Sequence, residues 1–401
     1  MTFDHLVHID EADWPGVATV PAIRGTSFRR AQKGFEQFCE RNEVHIKVHY
    51  DALYARIADA GWLGLAEGYM AGEWHCEDLA GALSRLLAGG FRPKRMFRSP
   101  RGAFGPPGGS LPASLVRLYA GDGLSPFGGI FASGVATTVR NERGIDITTI
   151  DEPAHVERED LGDAQTRGVD MLLDAAGVSR GTYLVDYPAS GGALSVRAAQ
   201  RGATVDTWVL DEGALQDLEE FIAGKPVEHS LHIRELPGHI LPPEMCRRTY
   251  EAAVSIGRIE TIGKQLRGDY LRSIDQLLLP GGIAAIGLVA RVGEVSPVMR
   301  EATDVLRAYI WPALDFPTMD EMHRIIDRGT SLCVSEEVHS GKHSRIAYGF
   351  QRAVFEGRMR EAAAAGYDPV YRRLWDYHLA LMEALFRLGI LDSVQLTLRR
   401  R

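Results

Sequence analysis

The residues best placed to do chemistry begin in the run from Thr182 to Gln200. Tyr183, Leu184 and Val185 form a short apolar strand that closes on Asp186. A turn, Tyr187-Pro188-Ala189-Ser190-Gly191-Gly192, leads into a helical segment from about Ala193. Such a strand–turn–helix unit aims backbone N–H groups and a helix N-terminus at whatever sits above the sheet edge. A second strand, Ala203 to Leu210, follows within one crossover length and closes on Asp211 and Glu212. The pair reads as the start of a nucleotide-binding α/β sheet. The turn departs from that pattern, because close approach to a cofactor ordinarily needs glycine where Pro188 and Ser190 stand. Asp186 serves either a ligand or its own turn. Glu260, at a strand-to-helix junction, is either an acid–base group or a helix-start residue favoured by the dipole. His343 and His378 read as surface or packing histidines, and Tyr309 and Trp311 as core or tunnel aromatics.

These groups need a scaffold, and the alternation of elements supplies one. A helix over 163–176 precedes the two strands. Further strands are expected at Val227–Ile233, Ala252–Ile256, Gly282–Ala290 (after the turn Pro280-Gly281), Leu332–Val334 and Val394–Leu398. Helices are expected at Lys264–Leu278, Met319–Asp327 and Tyr371–Leu388. Strands separated by helices imply an α/β fold with a parallel-rich sheet covered on both faces. Helical material over Ser344–Ala364 reads as a lid or substrate-binding insertion. The earlier chain is mostly helical, with one strand candidate at Val44–Val48 and a helix over Asp51–Ala60. The stretch Gly61–Leu79, with several glycines and two tryptophans, reads as a compact loop with buried aromatic anchors, and Asp78 as a helix cap. From Gly89 to Leu111 apolar period vanishes. Arg92, Lys94, Arg95, Arg98 and Arg101 there belong to a solvated linker or face anionic headgroups. Gly121–Gly134 is a plain loop or a pocket mouth. Three regions follow: 1–90, a small N-terminal domain; 91–160, a loop-rich connection; and 161–401, the sheet domain with a lid near 291–365.

At 401 residues, with 45% hydrophobic and 24% charged side chains, the chain has the composition of a soluble globular protein. A formal net charge of −8 argues against nucleic acid as a partner. Cys39, Cys76, Cys246 and Cys333 lack zinc-ligand spacing, so no metal site is expected and a reducing cytoplasm is. No apolar run reaches transmembrane length, which leaves at most peripheral membrane contact.

The run Gly64-Leu65-Ala66-Glu67-Gly68-Tyr69-Met70-Ala71-Gly72-Glu73-Trp74-His75-Cys76-Glu77-Asp78-Leu79 resembles a signature of the cyclopropane-fatty-acid synthase family. The resemblance resumes in Leu161-Gly162-Asp163-Ala164-Gln165, in the strand ending at Asp186, in Val254–Glu260, in Leu279–Ile283 and in Tyr309-Ile310-Trp311-Pro312. It implies a class I methyltransferase, Rossmann-like fold that binds S-adenosylmethionine. It also implies methyl transfer to a cis double bond of an acyl chain, with bound bicarbonate removing a proton. Carried over by position, the cofactor site is Asp186, Tyr187, Ser190, Gly191, Gly192 and Glu235; the polar position after the second strand falls at Leu210, with Asp211 adjacent and in reach of a ribose. The family's D-x-G-x-G-x-G turn holds Pro188, Ser190 and Gly192 at its glycine positions. In the M-F-E-H motif only Glu260 survives. The histidine of the fifth strand is Gly287, and the lid tyrosine falls at Ser344, beside His343.

S-adenosylmethionine is therefore expected to bind weakly or not at all, and a bicarbonate facing one carboxylate is expected to be repelled. An apolar pocket lined by Tyr309, Trp311, Tyr348 and Phe350 is expected over Glu260, with Glu260 and His343 as the remaining acid–base candidates. The expected function is a divergent enzyme acting on a hydrophobic acyl, lipid or polyketide-like substrate by cyclisation, isomerisation or proton transfer. A methyltransferase with an atypical cofactor turn is an alternative. So is a non-catalytic partner subunit of a true methyltransferase, and the assembly expected is a homodimer or a heteromer with an intact paralogue.

Overall fold

The computed structural model describes residues 9–93, 109–247, 249–294 and 296–401. Lys94, Arg95, Arg98 and Arg101 of the basic cluster lie outside them, whereas Arg92 pairs with Glu301 at 3.0 Å. The chain forms two compact units. One comprises residues 1–105, 294–312 and 355–388; the other comprises residues 106–293, 313–354 and 389–401. The segments 294–312 and 355–388, within or beside the expected lid, thus fold with the N-terminal region.

The first unit is helical, with β1 (Lys47–Val48) and β2 (Trp74–His75) as its one short antiparallel pair among the described residues. The family-like signature is not a loop. Trp62–Met70 is a helix, set against the helix Ala52–Ala60 across Gly61, whose φ is +63°. Its glycines serve helix packing: a Cβ on Gly64 would overlap the Arg56 carbonyl. Arg56 is 1% exposed. Its Nε donates to Glu73 at 2.9 Å, and its remaining N–H groups reach the carbonyls of Gly16, Val17 and Thr19. Trp62 and Trp74 are buried as anchors, and Asp78 caps Leu79–Ala88 through the Gly81 N–H at 2.8 Å.

The second unit is built on a nine-stranded sheet. Its strands are β3 (Ala136–Arg140), β4 (Asp146–Ile150), β5 (Tyr183–Asp186), β6 (Thr204–Val209), β7 (Leu231–Glu235), β8 (Tyr250–Ile256), β9 (Leu278–Arg291), β10 (Leu332–His339) and β11 (Leu391–Arg400). The order is β3-β4-β10-β11-β9-β8-β5-β6-β7. From β9 to β7 all pairs are parallel, and β11 runs antiparallel between β9 and β10. This is the class I methyltransferase sheet, extended at one edge by the hairpin β3–β4. Alternation along the strands feeds two cores. Val185, Ala253, Ala284 and Ile286 pack with the helices Arg267–Leu277 and Met319–Gly329. Leu184, Val254 and Ala285 pack with the helices Leu161–Ala175 and Ala193–Gln200.

Three expectations need correcting. The region read as linker contributes β3, β4 and the helix Ala113–Tyr119. The strand β3 is exposed at every position, so it carries no apolar alternation to read. Pro280-Gly281 does not separate helix from strand. It lies in a bulge of β9, where Leu278 and Ile283 face Tyr250 and Ala252. The strand expected at Leu332–Val334 runs on to His339.

Candidate functional site

The order in which the chain adds parallel strands reverses at β5, which pairs with β6 on one side and β8 on the other. The site is therefore sought at its carboxyl end. Asp186 sits there and is fully buried. Its Oδ2 accepts from Ser195 Oγ at 2.6 Å, and that oxygen accepts from Thr207 Oγ1 at 2.9 Å. Burial raises the Asp186 carboxyl to about 7, against the lowering effect of the Ser195 hydrogen bond. Tyr187 turns into the core. Its hydroxyl accepts from Leu241 N at 2.8 Å and Ser273 Oγ at 3.0 Å, and burial pushes it up to about 12.

The rest of the turn is spent within the chain. Ala189 N donates to the Trp208 carbonyl at 2.7 Å. Gly191 has φ +70°, and a Cβ there would overlap the Leu124 carbonyl and stand 3.0 Å from Pro126 Cδ. Gly192, at φ +84°, starts the helix Ala193–Gln200 with Leu218 closing its open side. Ser190 is partly exposed. The loop over Gly191 is fixed from below by buried Gln165. Its Oε1 accepts from Gly121 N at 2.8 Å, and its Nε2 donates to the Phe127 carbonyl at 3.0 Å. Asp211 caps the helix Glu212–Ile222 through Ala214 N at 2.9 Å, and its other oxygen takes Ser110 N at 2.9 Å. Glu235 is exposed at the end of the edge strand β7.

S-adenosylmethionine would ask this edge for a carboxylate turned to ribose hydroxyls and for open backbone at the glycine turn. Both Asp211 oxygens hold backbone N–H groups, and the Gly191 backbone carries Leu124. The residues present do not fit that group.

Glu260 lies in the short turn Arg258–Thr261 after Gly257, which adopts φ +73°. It is 6% exposed. Oε1 accepts from Val289 N at 3.2 Å, and Oε2 is buried without a hydrogen-bond partner among the described residues. Burial raises it to about 7, while its own and the Val289 backbone N–H, with the Arg267 charge, pull the other way. Tyr348 is close enough that burial and then the Glu260 charge push its phenol upward. Gly287 cannot stand in for a histidine, since a Cβ there would meet Ile256 Cγ1 at 2.7 Å.

His343 is a staple. Its Nδ1 accepts from Phe131 N at 2.9 Å and its Nε2 lies 2.8 Å from the Asp151 carbonyl, so both nitrogens are engaged by backbone. Burial lowers its pKa and keeps the ring neutral. The acid–base role expected of it gives way to that structural one. Phe350 packs edge-on to Phe131 at 5.9 Å. Tyr309 and Trp311 belong to the first unit, where the Tyr309 hydroxyl donates to Glu67 at 2.8 Å and Trp311 meets His378 edge-on at 5.2 Å.

The sequence reading missed two features of the second unit. One is Arg258. The other is a hydrogen-bonded chain in a cleft of about 600 Å³, where Glu337 lies 2.5 Å from His323 and 3.3 Å from His339. His339 reaches Asp392 at 2.8 Å. A longer β10 was the missing signal, because Glu337 and His339 share a face only if the strand continues past Val334. Among the described residues no group of His, Cys, Asp and Glu has the geometry of a metal site.

The family model for mycolic acid cyclopropane synthetase matches residues 153–396, more than half of the chain. The chain belongs to that family. Over 98% of its length it is 26% identical to tuberculostearic acid methyltransferase UfaA1 of Mycobacterium tuberculosis, of which the match covers 96%. Its structure resembles the cyclopropane synthase MmaA2 of Mycobacterium tuberculosis, with a TM-score of 0.57 and 18% identity over 72% of this chain and 94% of that one. It also resembles the [4+2]-cyclase SpnF, with a TM-score of 0.53 and 14% identity over 74% and 98%. At these identities the two structures establish the fold alone. This is a methyltransferase-fold member of a lipid-modifying family. Among the described residues no helix is long and apolar enough to cross a membrane.

Proposed function

We propose that this family member acts on a hydrophobic acyl chain by proton transfer at Glu260, in place of methyl transfer from S-adenosylmethionine. Family membership and the likeness to UfaA1 support an acyl substrate. One observation carries the chemistry. Glu260 is a buried carboxyl raised to about 7, with Oε2 uncommitted, so at neutral pH both protonation states are populated. Such a group takes a proton from a carbon beside an acyl carbonyl and returns it further along the chain. The double bond moves, with no atom gained or lost and no cofactor consumed. The Val289 N–H fixes Oε1 and leaves Oε2 as the exchanging atom.

The test is isotopic. Cells expressing the protein are grown in D₂O with methionine labelled in its methyl carbon, and their acyl chains are analysed by mass spectrometry. Deuterium at chain carbons that disappears in Glu260→Gln, with no added labelled methyl, supports the reading. Enzyme-dependent methyl label would replace it with methyl transfer. Neither label would point to the partner-subunit alternative.

A further inference from the structure

Arg258 opens the helical turn that carries Glu260, and it stands where the M-F-E-H motif has methionine. Its side chain is 2% exposed. Nη2 donates to the His239 carbonyl at 2.9 Å, while Nε and Nη1 are buried without an acceptor among the described residues. Among the described residues no carboxylate forms an ion pair with it. Burial acts to lower its pKa, and the titratable groups that it senses are the phenols of Tyr270 and Tyr187, which burial keeps uncharged at neutral pH. A guanidinium nonetheless keeps its proton in proteins, so a full positive charge is buried at the His239 carbonyl beside Tyr187 and Tyr270. An unpaired buried cation is strongly unfavourable unless an anion answers it. In the same buried cluster as Tyr187, Trp208 Nε1 also lacks an acceptor among the described residues.

We propose that Arg258 is the anchor of a ligand carboxylate, which supplies the missing charge and the missing acceptors. A single guanidinium among neutral groups matches a monoanion, whereas a phosphate would call for a second cation. The same charge repels a sulfonium, so this one substitution reverses the sign of the ligand that the site favours. The assignment deepens the acyl-chain reading by giving the substrate a free carboxylate, yet it does not depend on Glu260 as the proton carrier.

The test uses the intact chain in low-chloride buffer, with hexanoate and hexanol as probes followed by calorimetry and thermal unfolding. Hexanoate should bind and raise the melting temperature of the wild type, and hexanol should do so far less. Arg258→Met should weaken hexanoate at least tenfold. Without ligand it should melt no earlier than the wild type, because it removes an unanswered charge. Arg258→Lys, which keeps the charge and loses the planar donors, should fall between. Glu260→Gln should retain hexanoate binding, which separates this assignment from the proton-transfer reading. Equal binding of hexanoate and hexanol, or full hexanoate affinity in Arg258→Met, would overturn the proposal. So would early melting of unliganded Arg258→Met, which would make the guanidinium a support for the His239 loop.

Discussion

The signature around Gly64–Leu79 and the turn Asp186–Gly192 both carry the marks of one family, but they have been kept for different reasons. In the signature each retained residue has a packing task. Gly64 lets two helices touch, Glu73 neutralises Arg56, Trp74 donates to the Leu65 carbonyl at 2.8 Å, and Asp78 caps a helix. At this edge the acidic residues Asp186 and Asp211 have partners within the chain. Asp186 faces Ser195, Asp211 holds Ser110, and the glycine backbone is covered by Leu124. Packing constrains residues in many directions at once and resists change. A ligand edge is constrained mainly by its ligand, and is free to close when the ligand is no longer used.

The contrast breaks first where packing is tightest. Arg56→Met strands Glu73 in the core, and removing one partner of a buried pair should cost about 3–5 kcal/mol, read from denaturant unfolding. Gly64→Ala forces the helices Ala52–Ala60 and Trp62–Met70 apart and should cost about 1–3 kcal/mol by the same measurement. A loss under about 0.5 kcal/mol in both would mean that the signature is held by something other than packing. The rewritten turn should respond less. Asp211→Ala removes a helix cap and the anchor of Ser110, and should cost about 1 kcal/mol.

The smallest effect concerns the cleft lined by the helix Met319–Gly329 and β10. The hydrogen bond to Asp392, then that to Glu337, raises His339 from 6.5 to about 9. Its stabilisation is therefore complete below pH 6.5 and is lost as pH rises through about 9. Burial works to raise Glu337, yet the hydrogen bonds from His323 and His339 bring it from 4.5 to about 2. Its share is complete above pH 4.5 and lost as pH falls through about 2. The cluster should thus stabilise most between those limits. The melting temperature of the wild type should fall more steeply from pH 7 to 9 than that of His339→Gln, and parallel curves would remove the cluster from the account.

Much of this was legible because it rests on period and punctuation. The apolar Tyr183–Val185, the acidic stop at Asp186 and the glycines before Ala193 fixed a strand, a turn and a helix, and Asp78 read as a cap by type and place. The edge strand β3 escaped because exposure leaves it no pattern. Residue types at the site predicted where side chains stand, not whom they face. Tyr187 and His343 carry reactive groups, and both are consumed by backbone partners contributed by distant segments, Leu241 in one case and Phe131 with Asp151 in the other. Arg258 passed unnoticed because its meaning lies in burial without a counter-charge, which appears only once the core is assembled.

The central claim is that the cofactor edge has closed while the fold has been kept, and titration calorimetry with S-adenosylmethionine and S-adenosylhomocysteine tests it most directly. No saturable heat is expected for the wild type. None is expected for the double variant Pro188→Gly, Ser190→Gly either, because Asp211 remains bound to Ser110 and Gly191 remains under Leu124. Micromolar binding to the wild type would contradict it, and micromolar binding to the double variant alone would confine the closure to those two side chains.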